Sequence, residues 1–203
     1  MEEIPESMSA EELIRFFDRN AETWDEHLRP RDHDVGRAVL GRIGAGPGDT
    51  VLDAACGTGV LAPLLAERGV KDITAVDISP GMEKVFRRKH PAIKFITADY
   101  HDPALFAAGS FSLIILYNAF PHFRDPAAII RNAWTQLAAG GRLLIAHSMN
   151  RTELDLKHKE VGGIVGNHML VCDAELRQML EAAGFSSVVI EDADYFYLSA
   201  VKK

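Results

Sequence analysis

The sequence predicts an α/β fold: a doubly wound, mostly parallel seven-stranded sheet with an antiparallel C-terminal hairpin strand, preceded by a helical N-terminal cap. Three observations carry this. Short β-branched runs alternate with helical stretches from about residue 50 onward, and such alternation builds a parallel sheet covered by helices. The last two apolar runs are joined by a short polar turn, which permits only antiparallel pairing because a parallel return needs a long crossover. A glycine pair, Gly57 and Gly59, stands between the first run and a helix, where sheets of this kind receive a ligand.

Taken in order, the strands are Thr50-Ala54, Ile73-Val76, Lys94-Thr97, Phe111-Tyr117 and Gly141-Ala146. Each is a compact apolar run bounded by turn residues, the pattern of a strand buried on both faces. Helices are expected from Gly59 to Glu67, Gly81 to Lys89 and Pro126 to Leu137. In the last, Ile129, Ile130, Ala133, Trp134 and Leu137 recur at helical spacing, which makes Trp134 a core residue. A further helix runs from Asp173, placed to cap it, to Ala183, with Gly184 placed to end it in the left-handed conformation. The hairpin is Ser187-Ile190 with Tyr195-Val201.

Two segments stand outside the alternation. Residues 1–40 form a helical cap with Ile14, Phe17 and Ala21 on one face and Trp24 close by, and residues 149–172 form a long connection rich in His, Gly and Asn. Connections of that length in compact domains are usually functional or disordered, so both are candidates for a lid, and Gly162-Gly163 is expected to supply flexibility for closure. The whole of 1–203 is expected to be one domain, since 203 residues with 47% hydrophobic content suffice for a core without disulfides or structural metals.

A formal charge of −7 argues against nucleic acid and anionic membranes as partners, because both draw on clustered Lys and Arg. The one concentrated basic run, Arg87-Arg88-Lys89-His90, falls in the last turn of a helix, where cations complement the dipole, and reads as a solvated helix end. A small molecule is the expected partner. The N-terminus lacks the basic start and apolar run of a signal peptide, so a cytoplasmic location is expected. Two cysteines, Cys56 and Cys172, give neither a disulfide framework nor a paired metal-ligand spacing, and the sequence is silent on oligomeric state.

The chemistry concentrates in Val51-Leu52-Asp53-Ala54-Ala55-Cys56-Gly57-Thr58-Gly59. Glycines let a backbone approach a ligand closely, and the following helix N-terminus offers unpaired amides. Asp53, four residues before the first glycine, is placed to receive an ammonium group through water or a backbone relay. Asp77 follows Gly57 by twenty residues at a strand end, where a carboxylate accepts from ribose hydroxyls. Asp99-Tyr100 end the third strand, an acid for an exocyclic adenine amine beside an aromatic wall. Three acids at three successive strand ends fit a charged nucleoside better than three separate helix caps.

These residues, with Asp77-Ile78-Ser79, Met82, Ala98-Asp99-Tyr100 and the segment Phe111-Ser112-Leu113-Ile114, resemble the class I S-adenosylmethionine-dependent methyltransferases of the small-molecule type. The resemblance covers about residues 45–148. It implies that Gly57 and Gly59, with Asp53 and Ala54, hold the methionine part of S-adenosylmethionine, that Asp77 and Ile78 hold the ribose, that Asp99 takes the adenine amine, that Met82 and Tyr100 pack on the base and that Tyr117 completes the cofactor set. S-adenosylhomocysteine would be the product. The segment from Phe16 to Asp25 is similar to the aromatic cap helix that closes over the cofactor in many members. Asn118-Ala119-Phe120-Pro121 departs from the Asn-Pro-Pro-Tyr type of motif, which lowers nucleic-acid bases and protein amides as acceptors.

In this sheet type the acceptor crevice lies at the carboxyl ends of the strands. The expected acceptor contacts are Phe17 and Trp24 from the cap, Asn118 and His122 after the fourth strand, His147 after the fifth, and His158 and His168 from the connection, with Phe120, Phe123, Ser148, Asn150, Asn167 and Cys172 at the same end. His122 and His147 are the candidates for catalytic base or acceptor anchor. A sharper idea, that His122, His147, His158 and His168 converge on a metal or a soft nucleophile, is opposed by their loose spacing, and no metal is assigned. Two competing functions share part of the signal. A nicotinamide-dependent oxidoreductase would explain the glycine turn and Asp77 but neither Asp53 nor Asp99, and a cofactor-binding sensor without turnover is compatible with all of them.

Overall fold

The computed structural model describes residues 9–161 and 170–203, with side chains throughout except at 158–161. The chain runs α1 (Ala10–Asn20), a 3-10 segment (Ala21–His27), α2 (Pro30–Ile43), β1 (Thr50–Ala54), α3 (Ala62–Glu67), β2 (Asp72–Asp77), α4 (Pro80–Lys89), β3 (Lys94–Thr97), β4 (Phe111–Tyr117), a short 3-10 turn (Phe120–His122), α5 (Pro126–Gln136), β5 (Leu137–His147), α6 (Arg151–Val161), α7 (Asp173–Ala183), β6 (Phe185–Asp192) and β7 (Phe196–Lys202). The strands form one sheet in the order β3-β2-β1-β4-β5-β7-β6. β7 is antiparallel to both neighbours, so the reversed strand is enclosed and β6 forms the edge.

Alternation along the central strands separates two cores. Leu113, Ile115 and Tyr117 of β4 pack with Val39, Leu40, Leu64 and Leu65 of α2 and α3, while Ile114 and Leu116 pack with Ile129, Ile130, Leu176 and Leu180 of α5 and α7. α4 lays Phe86 on Ala75 and Phe95. Each fully buried large aliphatic or aromatic side chain contributes about 1.5–3 kcal/mol, and both faces of β4 collect such side chains. The sheet reverses its winding between β1 and β4, which opens a crevice at the carboxyl ends of these strands.

Several boundaries differ from expectation. The helix expected from Gly59 begins at Ala62, because residues 59–61 remain a turn. β5 begins at Leu137, where Gly140 at φ 74° carries the strand through an irregular start. The connection at 149–172 holds α6, and residues 162–169, with Gly162-Gly163, lie outside the described residues. Asp173 is the first residue of α7 rather than its cap: Cys172 takes the cap position without a side-chain hydrogen bond, and Asp173 pairs with Arg151 at 2.6 Å. Gly184 ends α7 at φ 98°, as its position predicted.

The cap is fixed by charge as well as by packing. Ser9 and Glu12 close a reciprocal capping box at the start of α1. Asp18 accepts from the Ser79 hydroxyl and, at 2.8 Å, from the Gly81 amide at the start of α4. Glu22 pairs with Lys84 at 3.1 Å and Arg88 at 2.9 Å, and Asp25 with Lys89 at 2.6 Å. Arg88 and Lys89 of the basic run therefore reach the cap, while Arg87 pairs with Glu83 within α4 and the arginines stay more than half exposed, so the run is both a solvated helix end and part of the seat of the cap. Ala21, Met82 and Val85 form the buried apolar seam, with Phe17 and Trp24 against it. No described helix is long and apolar enough to cross a membrane.

Candidate active site and cofactor cavity

A cavity of about 560 Å³ opens at the winding reversal, enclosed by the cap, the loops after β1 to β5 and the start of α6. Small-molecule sites span roughly 300–1,000 Å³, and the lining is mostly apolar with a few convergent polar groups. At the β1 end the backbone turns through two left-handed residues, Ala55 at φ 55° and Gly57 at φ 55°. Left-handed backbone at a non-glycine residue is strained and is characteristic of functional turns. Gly59, at φ 89°, has a different reason to be glycine: a Cβ there would lie 2.7 Å from the Phe86 ring and from His90. It serves the packing of the turn on α4.

Asp77 organises the turn. One oxygen accepts the Gly57 amide at 2.8 Å, the other the Ser79 amide at 3.0 Å, and the carboxylate lines the cavity with acceptor capacity left over. Burial pushes its pKa up, and the amides of Ser79, Gly57 and Ile78 pull it back. Asp53, 3% exposed, stands outside the cavity lining. Burial, reinforced by the charge of Asp77, pushes its pKa up to about 7. Among the described residues no donor satisfies it, so the pair of acids resists carrying two full charges under the glycine turn unless a cation is bound there.

At the β3 end, Asp99 accepts the backbone amide of His101 at 2.9 Å and its Nδ1 at 2.7 Å, and Arg124 at 3.1 Å. These bonds hold its pKa below the usual range against the effect of burial. The Tyr100 ring is buried, and its hydroxyl donates to Gln136 at 3.0 Å. Met82, 1% exposed, presents its flank to the cavity.

The β4 and β5 ends make the other half. Asn118, at φ 55°, accepts the Ser148 amide on its Oδ1 at 2.8 Å and ties the two strand ends together. The Ser148 hydroxyl donates to Asp32, which also accepts the Arg29 amide at 2.7 Å, and the Tyr117 hydroxyl donates to the Asp32 carbonyl at 2.6 Å. His147 is buried, and its Nδ1 accepts the Met149 amide at 3.2 Å. That bond places the proton of the neutral ring on Nε2. The His122 ring meets Phe17 edge-on at 5.8 Å, and Phe17 meets Trp24 at 5.5 Å.

Of the residues singled out from the sequence, Gly57, Asp77, Ile78, Met82, Asp99, Tyr100 and Tyr117 border one cavity with Phe17, Trp24, Asn118, His122 and His147. Asp53, Ala54 and Gly59 stand outside its lining. The His158 side chain and His168 lie outside the described residues. Among the described residues no group of three His, Cys, Asp or Glu is arranged to hold a metal. Sequence reasoning passed over Asp32, Leu13, Arg124 and Lys157, which also line the cavity. Only Asp32 had a signal, as the third residue of a helix opened by Pro30.

Residues 52–145 match the family model described as a methyltransferase domain. This segment is thus similar to methyltransferase domains. The chain is 35% identical over 117 residues to a demethylmenaquinone methyltransferase of Renibacterium salmoninarum, covering 57% of this chain and 48% of that protein. It is 36% identical over 111 residues to a ubiquinone biosynthesis O-methyltransferase of Xanthomonas campestris pv. campestris, covering 52% and 45%. The chain thus spans about half the length of the curated relatives it matches. Magnesium protoporphyrin IX methyltransferase of Synechocystis, solved with bound SAH, superposes with a TM-score of 0.70 at 22% identity, over 96% of this chain and 99% of that one, which shows the shared fold. The cofactor of the methyltransferase domain is S-adenosylmethionine, and the cavity fits it: Asp77 keeps free lone pairs at a strand end, and the left-handed turn at Gly57 leaves room, a Cβ there meeting nothing nearer than Trp24 Nε1 at 3.9 Å.

Proposed function

We propose that this protein transfers the methyl group of S-adenosylmethionine to an oxygen, nitrogen or sulfur nucleophile of a small apolar acceptor, by in-line displacement inside the cavity under the cap. The observation that carries this reading is the continuity of one cavity from Asp77 and Asp99 at one end to His122 and His147 at the other. When bound, S-adenosylmethionine supplies a methyl group already made electrophilic by its sulfonium. The chain's task is then alignment and exclusion of water.

In this reading Asp77 accepts from the ribose hydroxyls, Asp99 is shared between Arg124 and the adenine amine, and the acids under the glycine turn favour the cationic cofactor over its neutral product. Met82, with Ile78 beside it, covers the base. Phe17 and Trp24 close the cavity against solvent, and Asn118 sets the spacing of the β4 and β5 ends. His147 lines the acceptor end as an anchor for the acceptor. His122, beside Phe17, is the base that takes the proton when the nucleophile is a hydroxyl, a step worth about 10²–10⁴-fold in rate. The O-methyltransferase name of one relative and the two imidazoles favour a hydroxyl acceptor.

The test is release of S-adenosylhomocysteine with a panel of phenols, thiols and amines, for the wild type and His122→Gln. Phenol-dependent release that falls at least about a hundredfold in the variant, with cofactor affinity retained, is expected. Cofactor binding without release for any acceptor class would instead identify a sensor.

A further inference from the structure

We infer that the acceptor carries an anionic group, a carboxylate or phosphate, and that Lys157 of α6 is the residue that recognises it. This rests on the proposed methyl transfer and assigns the acceptor end of the same cavity.

Lys157 lines the cavity one helical turn beyond Leu154, which is 1% exposed in its apolar wall. The residue four positions earlier is Glu153, and a Glu followed by Lys at that spacing ordinarily pairs along the helix surface. Here the pair is not made. Both Glu153 oxygens are taken by Arg31, at 3.1 and 3.0 Å, and one also accepts the Asn150 amide at 3.3 Å. No carboxylate among the described residues lies within salt-bridge reach of Lys157. The two arginines of the lining are engaged: Arg29 pairs with Asp32 at 3.6 Å and Arg124 with Asp99 at 3.1 Å.

The neighbourhood sets the rest of the ligand's character. Leu13, Phe16 and Phe17 of α1 and Met149 after β5 give the acceptor end an apolar wall. An apolar body with an acid at one end satisfies both features, the body against that wall and the acid on the ammonium. Because Lys157 is exposed, the pairing is screened by salt, and its discrimination is modest rather than absolute.

The test uses protein loaded with S-adenosylhomocysteine and calorimetric or melting-temperature titration with matched acid and amide pairs: 4-hydroxybenzoate, 4-hydroxycinnamate and octanoate, each against its primary amide, and phenyl phosphate against phenol. The expected result is binding of at least one acid about fivefold or more tightly than its neutral partner in low salt, with the preference lost in Lys157→Met, retained in Lys157→Arg and reduced in high salt. The carboxylate and phosphate arms identify which anion is preferred. Equal binding of acid and neutral partner, a preference that survives Lys157→Met, or no acid binding to protein that does bind S-adenosylhomocysteine would overturn the inference. Failure to bind S-adenosylhomocysteine at all would count against the methyl-transfer reading instead, so the two failures are separable.

Discussion

Replacing Asp53 by asparagine should make the cofactor-free protein more stable at alkaline pH, although it removes an acid from the cofactor end of the molecule. Asp53 is 3% exposed with no donor among the described residues, and burial next to Asp77 raises its pKa to about 7. Folding therefore favours the protonated acid. Its contribution to stability is fully present below the unfolded pKa of about 4 and is lost as pH rises through about 7. Between pH 5 and pH 8 that loss amounts to about 3 kcal/mol, taking 1.36 kcal/mol per pKa unit. The asparagine amide costs about 1–3 kcal/mol for lack of a partner, at every pH. The difference in unfolding free energy between variant and wild type should thus move in favour of the variant by about 3 kcal/mol from pH 5 to pH 8, or roughly 5–10 °C in melting temperature for a chain of this size. Urea and thermal melts of cofactor-free protein at both pH values measure it. A difference that stays constant with pH would refute the reasoning about this acid.

Gly59→Ala adds a Cβ at φ 89° that meets Phe86 and His90 at 2.7 Å, so a loss of about 2–4 kcal/mol is expected from the urea midpoint, whereas a loss under about 1 kcal/mol would show that α4 yields easily. Asp18→Ala leaves the Gly81 amide and the Ser79 hydroxyl without their acceptor; it should cost about 1–3 kcal/mol and weaken S-adenosylhomocysteine binding, and an unchanged dissociation constant would separate the cap from the cofactor. The ion pairs of Glu22 and Asp25 with α4 are partly exposed, so raising salt from 0.05 to 0.5 M should weaken cofactor binding severalfold in wild type and less in Glu22→Gln; equal salt dependence would remove these pairs from the closure of the cap.

The elements that could be read from the sequence are those whose cause is local. β1 and β4 matched residue for residue because a mostly apolar run between turn residues has one good solution in a parallel sheet; β3 matched as well, but as a half-exposed edge strand rather than one buried on both faces, and the hairpin followed from the length of its connection. The Gly57 turn and Asp77 were legible for the same reason, since strand, glycine and acid lie at fixed spacing along the chain. What escaped depends on contacts between distant segments. Nothing near Lys89 announces that Asp25, 64 residues earlier, will accept from it, so the basic run looked solvated. Gly59 looked like a ligand-facing glycine because the ring that excludes its Cβ comes from Phe86. Asp32 lies far from the strand ends in sequence, and only the fold brings it to Ser148 and Tyr117. Asp173 could have capped its own helix, and was diverted to Arg151.

Methyl transfer in this cavity requires Asp77 and its neighbours to grip a cationic nucleoside, and calorimetric titration of the purified protein with S-adenosylmethionine and with S-adenosylhomocysteine addresses that directly. One site per chain is expected for each ligand, weakened at least about tenfold (about 1.4 kcal/mol) by Asp77→Asn in a variant that still melts cooperatively. Absence of binding heat and of any rise in melting temperature with either ligand, or full affinity retained in Asp77→Asn, would contradict it.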